Sequence, residues 1–319
     1  MKNASKILKD DFFCSERSIE IVERAHASLN EVFKSLEERR QANQIKLLKA
    51  FQKADVSTRH FSGTTGYGYD DAGRDTLDRL FAEVFCAQKA LVRPHIVSGT
   101  HAIGIVLYGL LRPGDNFVSV AGKPYDTLDQ IINGKNGSLA EYGIGFESIG
   151  LAGGDIDREA VKKLFSSKKI KLAMIQRSKG YAWRKSIDLD EIAAVSALIK
   201  SVSPQTIVFV DNCYGEFVET DEPLEKGADI IAGSLIKNPG GGLAPTGAYI
   251  AGKSELIDQI SYRLTAPGIG GEVGSYSAGY LPFYQGLFMA PHIVCEALKG
   301  AVLCAKVFET LGYEVLPKA

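Results

Sequence analysis

Seven short apolar runs recur along this chain, at residues 90–92, 116–120, 145–149, 172–176, 207–210, 230–234 and 248–251. Helical spacing of apolar residues marks 75–87 before the first run, and 102–111, 127–132, 157–165 and 189–201 among the others. A strand that is apolar throughout needs cover on both faces, and intervening helices supply it. The pattern therefore predicts an α/β fold, a mainly parallel seven-stranded sheet with helices on both faces. In such sheets ligands gather at the carboxyl ends of strands.

The rest of the chain divides around this region. Residues 1–60 read as a helical N-terminal segment, with Ile21, Val22, Ala25, Leu29, Val32, Phe33 and Leu36 at helical spacing among many charges. Residues 61–290 hold the sheet. From Pro291 to Leu311 the pattern is again helical, and GYEVLPKA reads as a turn and one strand. Residues 291–319 are thus expected to be a connecting helix and the start of a truncated C-terminal small domain.

A chain of 319 residues with 45% apolar and 24% charged residues has the composition of a soluble globular protein. A net charge of −1 gives no reason to expect nucleic acid or an anionic membrane as partner. No uninterrupted apolar run approaches a membrane span, and MKNASKILKDDFF lacks the apolar core of a secretory signal. Five scattered cysteines (14, 86, 213, 295 and 304) form no CxxC or Cys/His cluster, which predicts a reduced cytosolic chain without a metal site. Cys213 is read as structural.

The chemistry concentrates at strand ends. Asp211 closes the run TIVFVDN, and Lys237 follows another run in GSLIKNPGGG. A strand-end turn aspartate and a surface lysine are the plain alternative. Together, however, a carboxylate and an amine on neighbouring strands suit pyridoxal 5′-phosphate (PLP), which needs a Schiff-base lysine and an acid for its ring nitrogen. Ser98-Gly99-Thr100 stands between a run and a helix, where backbone N–H groups and a helix N-terminus make an anion site. Ser234 offers another hydroxyl to the same phosphate. Tyr125, after AGKP, presents a ring for stacking. Gln176, closing KLAMIQ, offers an amide to the cofactor's phenolic oxygen, while the adjacent Arg177 reads equally as a surface charge. In FSGTTGYGYDDAGRDTLD, the residues Tyr67, Tyr69 and Arg74 are candidates to reach an anion across a subunit interface, or the stretch is a glycine-rich loop capped by Asp71 or Asp75. LTAPGIGGEVGSY reads as a loop over the site or a long turn, and His101 as a cofactor contact or a satisfied helix-start residue.

Taken together, GYGYDDAGRDTLD, VSGTHAI, KPYDTLD, QRSKGYAWR, FVDNCYGEF and SLIKNPGGGLAPTGAYIAG closely resemble the aluminium-resistance protein family, whose members are described as methionine γ-lyase-like or cystathionine β-lyase-like. The resemblance runs from about residue 10 to the end. It implies a fold-type I PLP enzyme, a carbon–sulfur lyase acting by β- or γ-elimination on cysteine-, cystathionine- or methionine-like amino acids. It implies Lys237 as the Schiff-base lysine, Asp211 as the pyridinium partner and Tyr125 as the stacking ring. Ser98, Gly99, Thr100 and Ser234 would hold the phosphate, and Tyr67 and Tyr69 would come from the second subunit of a homodimer or homotetramer. An aminotransferase or aldolase of the same fold, or a non-catalytic PLP-binding stress protein, is the alternative. Such enzymes carry a C-terminal small domain that often supplies the arginine for the substrate carboxylate. The chain stops at Ala319, about where that domain begins.

Overall fold

The computed structural model describes residues 2–318. Helices α1 (Lys2–Asp10), α2 (Glu16–Ala27) and α3 (Asn30–Lys53) form the N-terminal segment, and α4 (Ala72–Val84) leads into the sheet. There follow β1 (Lys89–Arg93), α5 (Gly99–Leu110), β2 (Asn116–Ser119), α6 (Asp126–Asn133) and β3 (Gly145–Ser148). A two-residue hairpin, β4 (Leu151–Ala152) with β5 (Asp155–Ile156), precedes α7 (Arg158–Ser167). The remainder is β6 (Leu172–Gln176), α8 (Leu189–Val202), β7 (Ile207–Asp211), β8 (Ile230–Ser234), β9 (Ala248–Gly252), α9 (Ser254–Leu264) and α10 (Leu281–Thr310).

All seven apolar runs are strands of one sheet, in the order β1-β9-β8-β7-β6-β2-β3. β8, β7, β6, β2 and β3 pair in parallel, and β9 runs against both its neighbours. Period-two alternation divides the core between the two faces. On β7, Val208 and Val210 join Leu80, Ile192 and Leu287, from α4, α8 and α10. Ile207 and Phe209 join Ile103 and Val106 of α5 and Ile257 of α9. Each such residue, fully buried, contributes about 2 kcal/mol.

Three expectations need correction. The long N-terminal helical pattern breaks at Ser28, whose hydroxyl donates to the Ala25 carbonyl (2.7 Å), so α2 and α3 are separate. Residues 312–318 pair with no strand, and Ala319 lies outside the described residues. An extended segment without a neighbour leaves its N–H and C=O groups unpaired, so alternation alone does not make it a strand. The last helix begins at Leu281 rather than at Pro291, which lies inside it. By length and composition α10 is the one described helix able to cross a membrane; here Phe283, Leu287, Ala290 and Val294 pack it into the core.

The turn after β8 and helix α10 meet through bare backbone. A Cβ added to Gly241 would lie 2.2 Å from the Gly286 carbonyl oxygen, and one on Gly286 would lie 2.2 Å from that of Gly240. Gly241 also has φ +52°, a left-handed conformation that glycine adopts without strain.

Candidate active site

The strands deliver their chemistry to one end of the sheet. Gln176 ends β6, Asp211 ends β7 and Ser234 ends β8, with Lys237 three residues further on. Register places Gln176 beside Asp211 and Asp211 beside Ala232. These residues line a cavity of about 430 Å³, together with Ser98, Gly99, Thr100 and Tyr125.

Helix α5 points its N-terminus here. Ser98 is its N-cap, accepting from the His101 N–H (3.1 Å). Gly99 leaves room that a side chain would fill: a Cβ there would stand 3.1 Å from Cys213 Sγ and 3.4 Å from Ser234 Cβ. Ser234 Oγ is buried and has no partner among the described residues. Such a hydroxyl costs about 1–3 kcal/mol when left unpaired. A helix N-terminus, a glycine cradle and a spare hydroxyl fit a phosphate.

Asp211 is 3% exposed and accepts the Cys213 N–H (3.2 Å). Burial pushes its carboxyl up, and Cys213 and the Lys237 charge only partly oppose this. No arginine or histidine is bonded to it among the described residues, so the carboxylate lacks a strong cationic partner. A protonated ring nitrogen would supply one. Tyr125 precedes α6, and its hydroxyl lies 3.0 Å from Thr100 Oγ1. Burial holds its phenol well above the usual range, so it stays neutral. Lys237 Nζ stands 4.2 Å from the centre of the Tyr214 ring. Burial lowers the amine's value, but Cys213, Tyr214 and Asp211 outweigh it, and the net direction is upward.

Gln176 joins two loops: Oε1 accepts from Tyr125 N–H (3.1 Å), and Nε2 donates to the Ser178 carbonyl (3.1 Å). Arg177 is no surface charge. It is 4% exposed and donates to Asn212 Oδ1 and the Gly215 carbonyl (both 2.9 Å) and to Glu219 (2.6 Å). It braces a turn in which Tyr214 and Phe217 have φ of 68° and 61°, left-handed values that cost a non-glycine residue about 1 kcal/mol or more. Beneath the turn lie Glu216 and Glu222, both fully buried. Tyr249 donates to Glu216 Oε1 (2.9 Å), and Asn212 Nδ2 donates to Glu222 Oε2 (3.3 Å). The Glu216 carbonyl accepts from Asn238 Nδ2 (2.9 Å), which ties this turn to the residue after Lys237. Burial raises the Glu216 carboxyl to about 8.

Tyr67 and Tyr69 do not reach this cavity within the chain; both are exposed, with rings 6.0 Å apart. Tyr69 instead lines a separate cavity of about 460 Å³ with Arg74, Arg93 and residues 268–272 of the glycine-rich loop, none of which lines the Lys237 cavity within this chain. Arg74 is buried and committed to the Gly68 carbonyl (2.7 Å) and Asp75 (2.9 Å). The cap of α4 is Asp71, which accepts the Arg74 N–H (3.0 Å). His101 Nδ1 accepts from the Val97 N–H (3.2 Å), a local helix-start contact. The cavity also includes Cys213, Tyr214 and Tyr181, which sequence reading passed over or took as structural. Only their place after strand ends could have marked them.

A sequence profile of the methionine gamma-lyase family matches residues 18–319. The Bacillus subtilis protein YnbB is 50% identical over 297 residues, covering 92% of this chain and 70% of that protein. The structure of a carbon-sulfur lyase involved in aluminum resistance from Clostridium novyi NT superposes with a TM-score of 0.96 at 46% identity, covering all of this chain and 77% of that one. At 21% identity and a TM-score of 0.62, the pyridoxal-5′-phosphate dependent protein YhfS of Escherichia coli shares the fold over 84% of this chain and 67% of its own. With strands, cavity and profile in agreement, the chain belongs to the methionine gamma-lyase family.

Proposed function

We propose that this chain is a PLP-dependent carbon–sulfur lyase acting on cysteine-, cystathionine- or methionine-like amino acids. The observation that carries the reading is the convergence of Lys237, Asp211 and the partnerless Ser234 hydroxyl on one cavity at the N-terminus of α5. Ser98, Gly99, Thr100 and Ser234 hold the phosphate, Tyr125 stacks on the ring, and Lys237 is the point of attachment. Bound PLP supplies a sink for the electrons released at the substrate Cα. Asp211 holds a proton at the ring nitrogen. Lys237 Nζ takes the Cα proton, and for γ-elimination it takes a Cβ proton as well. Gln176 keeps the Tyr125 and Ser178 loops in register around the cavity. The same reading makes the protein a cytosolic homodimer or homotetramer in which exposed Tyr67 and Tyr69 serve a second copy's site.

Incubating the chain with PLP and each candidate amino acid tests the reaction class. Equal yields of thiol and keto acid are expected. A new amino acid without thiol release would replace the lyase by an aminotransferase. Ser234→Ala separates binding from folding. It removes no bond inside the protein and relieves a buried, unpaired hydroxyl, so the cofactor-free chain is expected to be stabilised by about 1–3 kcal/mol. Affinity for PLP, read by fluorescence titration, is expected to fall about tenfold with the lost hydroxyl–phosphate bond.

A further inference from the structure

We propose that the ring face of Tyr214 sets the basicity of Lys237, making Tyr214 a positioning residue for that amine. The contact is the shortest cation–ring approach among the described residues: Nζ lies 4.2 Å from the ring centre, against 5.1–5.8 Å for the pairs at Arg263, Lys179 and Lys46. It falls well inside the distance of about 6 Å at which an aromatic quadrupole attracts a cation. The backbone is bent to make it. Tyr214 occupies a left-handed conformation, and buried Arg177 and Asn212 hold that turn. The same turn is bonded to Asn238, next to Lys237, so ring and amine share one frame.

The other groups around the amine leave this role open. From β7 comes Asp211, from the turn after it Cys213, and from the start of α6 Tyr125; Glu216 lies buried beneath the same turn. Burial favours the neutral form of each. On the loop after β6, Arg177 is turned to Asn212 and Glu219, and Arg184 to the Gln176 and Ser178 carbonyls. Tyr181, on that loop, is fully exposed. Cys213 and Asp211 also favour the charged amine, and the π-face of Tyr214 adds a stabiliser that the ammonium meets at 4.2 Å. A base whose protonated form is stabilised accepts a proton more readily. On the lyase reading, that stabilises the ammonium formed when Lys237 takes the substrate proton. The amine–ring contact itself does not depend on that reading.

Competitive acetylation with acetic anhydride across neutral and alkaline pH, read by peptide mass spectrometry on the cofactor-free full chain, measures the protonation midpoint of Lys237. Tyr214→Leu is expected to lower the midpoint by about one pH unit, a tenfold change in the protonation equilibrium. Tyr214→Phe is expected to match the parent, because the ring remains. A midpoint unchanged in Tyr214→Leu overturns the proposal. So does an equal fall in Tyr214→Phe, which would assign the effect to the hydroxyl. Should thermal melting show that Tyr214→Leu does not fold, Tyr214→Trp decides. Its stronger π-face is expected to raise the midpoint above the parent's, and an equal or lower value overturns the proposal. Failure of the parent chain to bind PLP or release thiol would sink the lyase reading and leave the labelling result standing.

Discussion

Lys237→Ala is expected to yield a folded chain that releases thiol at least about a thousandfold more slowly and retains no cofactor mass after borohydride treatment. The side chain is half-buried and rests against the exposed face of Tyr214, so its removal opens no core cavity. The loss would therefore be chemical rather than structural. Lys237→Arg sharpens the point. Arginine keeps the positive charge but does not give up its proton near neutral pH. It is expected to fold and to be as inactive as the alanine variant. Thermal melting, peptide mass spectrometry and a thiol assay check all three expectations. Cofactor mass and turnover surviving in Lys237→Ala would remove this lysine from the proposed mechanism.

The second large effect is expected in the pH dependence of stability and comes from Glu216. Burial raises its folded-state value to about 8, whereas an unfolded glutamate titrates near its ordinary 4.5. Between those values the folded chain binds more protons at this position than the unfolded chain does. Stability therefore falls as pH rises through the window. The slope is about 1.4 kcal/mol per pH unit, or about 5 kcal/mol in all, and it levels off above pH 8. Glu216→Gln keeps an oxygen to accept from Tyr249 and cannot ionise. Urea melts of the two proteins at mildly acidic and mildly alkaline pH should show the parent losing stability relative to the variant. Parallel curves would mean that Glu216 ionises in the folded protein at the ordinary pH of a carboxylic acid.

The sheet was legible because its signal is redundant. Each of the seven runs is apolar enough to be buried on both sides, and Asp211, Gln176 and Ser234 then fall at strand ends by counting alone. Lys237 follows from the same count with the glycines beyond it. What stayed hidden depends on partners distant in sequence. Arg177 reads as a surface charge until Asn212, Gly215 and Glu219 close around it. Tyr214 carries no local mark, since a left-handed tyrosine is not written in its residue type as it is for glycine. Glu216 and Glu222 resemble ordinary charged turn residues, and only the fold shows them sealed beneath the site. The expected strand in GYEVLPKA failed for the converse reason, because its alternation had nothing to pair with.

The glycine seat between the turn after β8 and α10 also limits which substitutions the neighbourhood of Lys237 can absorb. Side chains at most helix contacts can change rotamer and absorb a small shift. Here carbonyl meets Cα with no side chain between them, so the joint has no such compliance. Helix α10 is clamped on both sides of this joint, by Phe283 before Gly286 and by Leu287, Ala290 and Val294 after it. Its far end, at Phe308 and Leu311, stands exposed. Any side chain introduced at Gly241 or Gly286 would have to displace backbone rather than a rotamer, four residues beyond Lys237 in the case of Gly241.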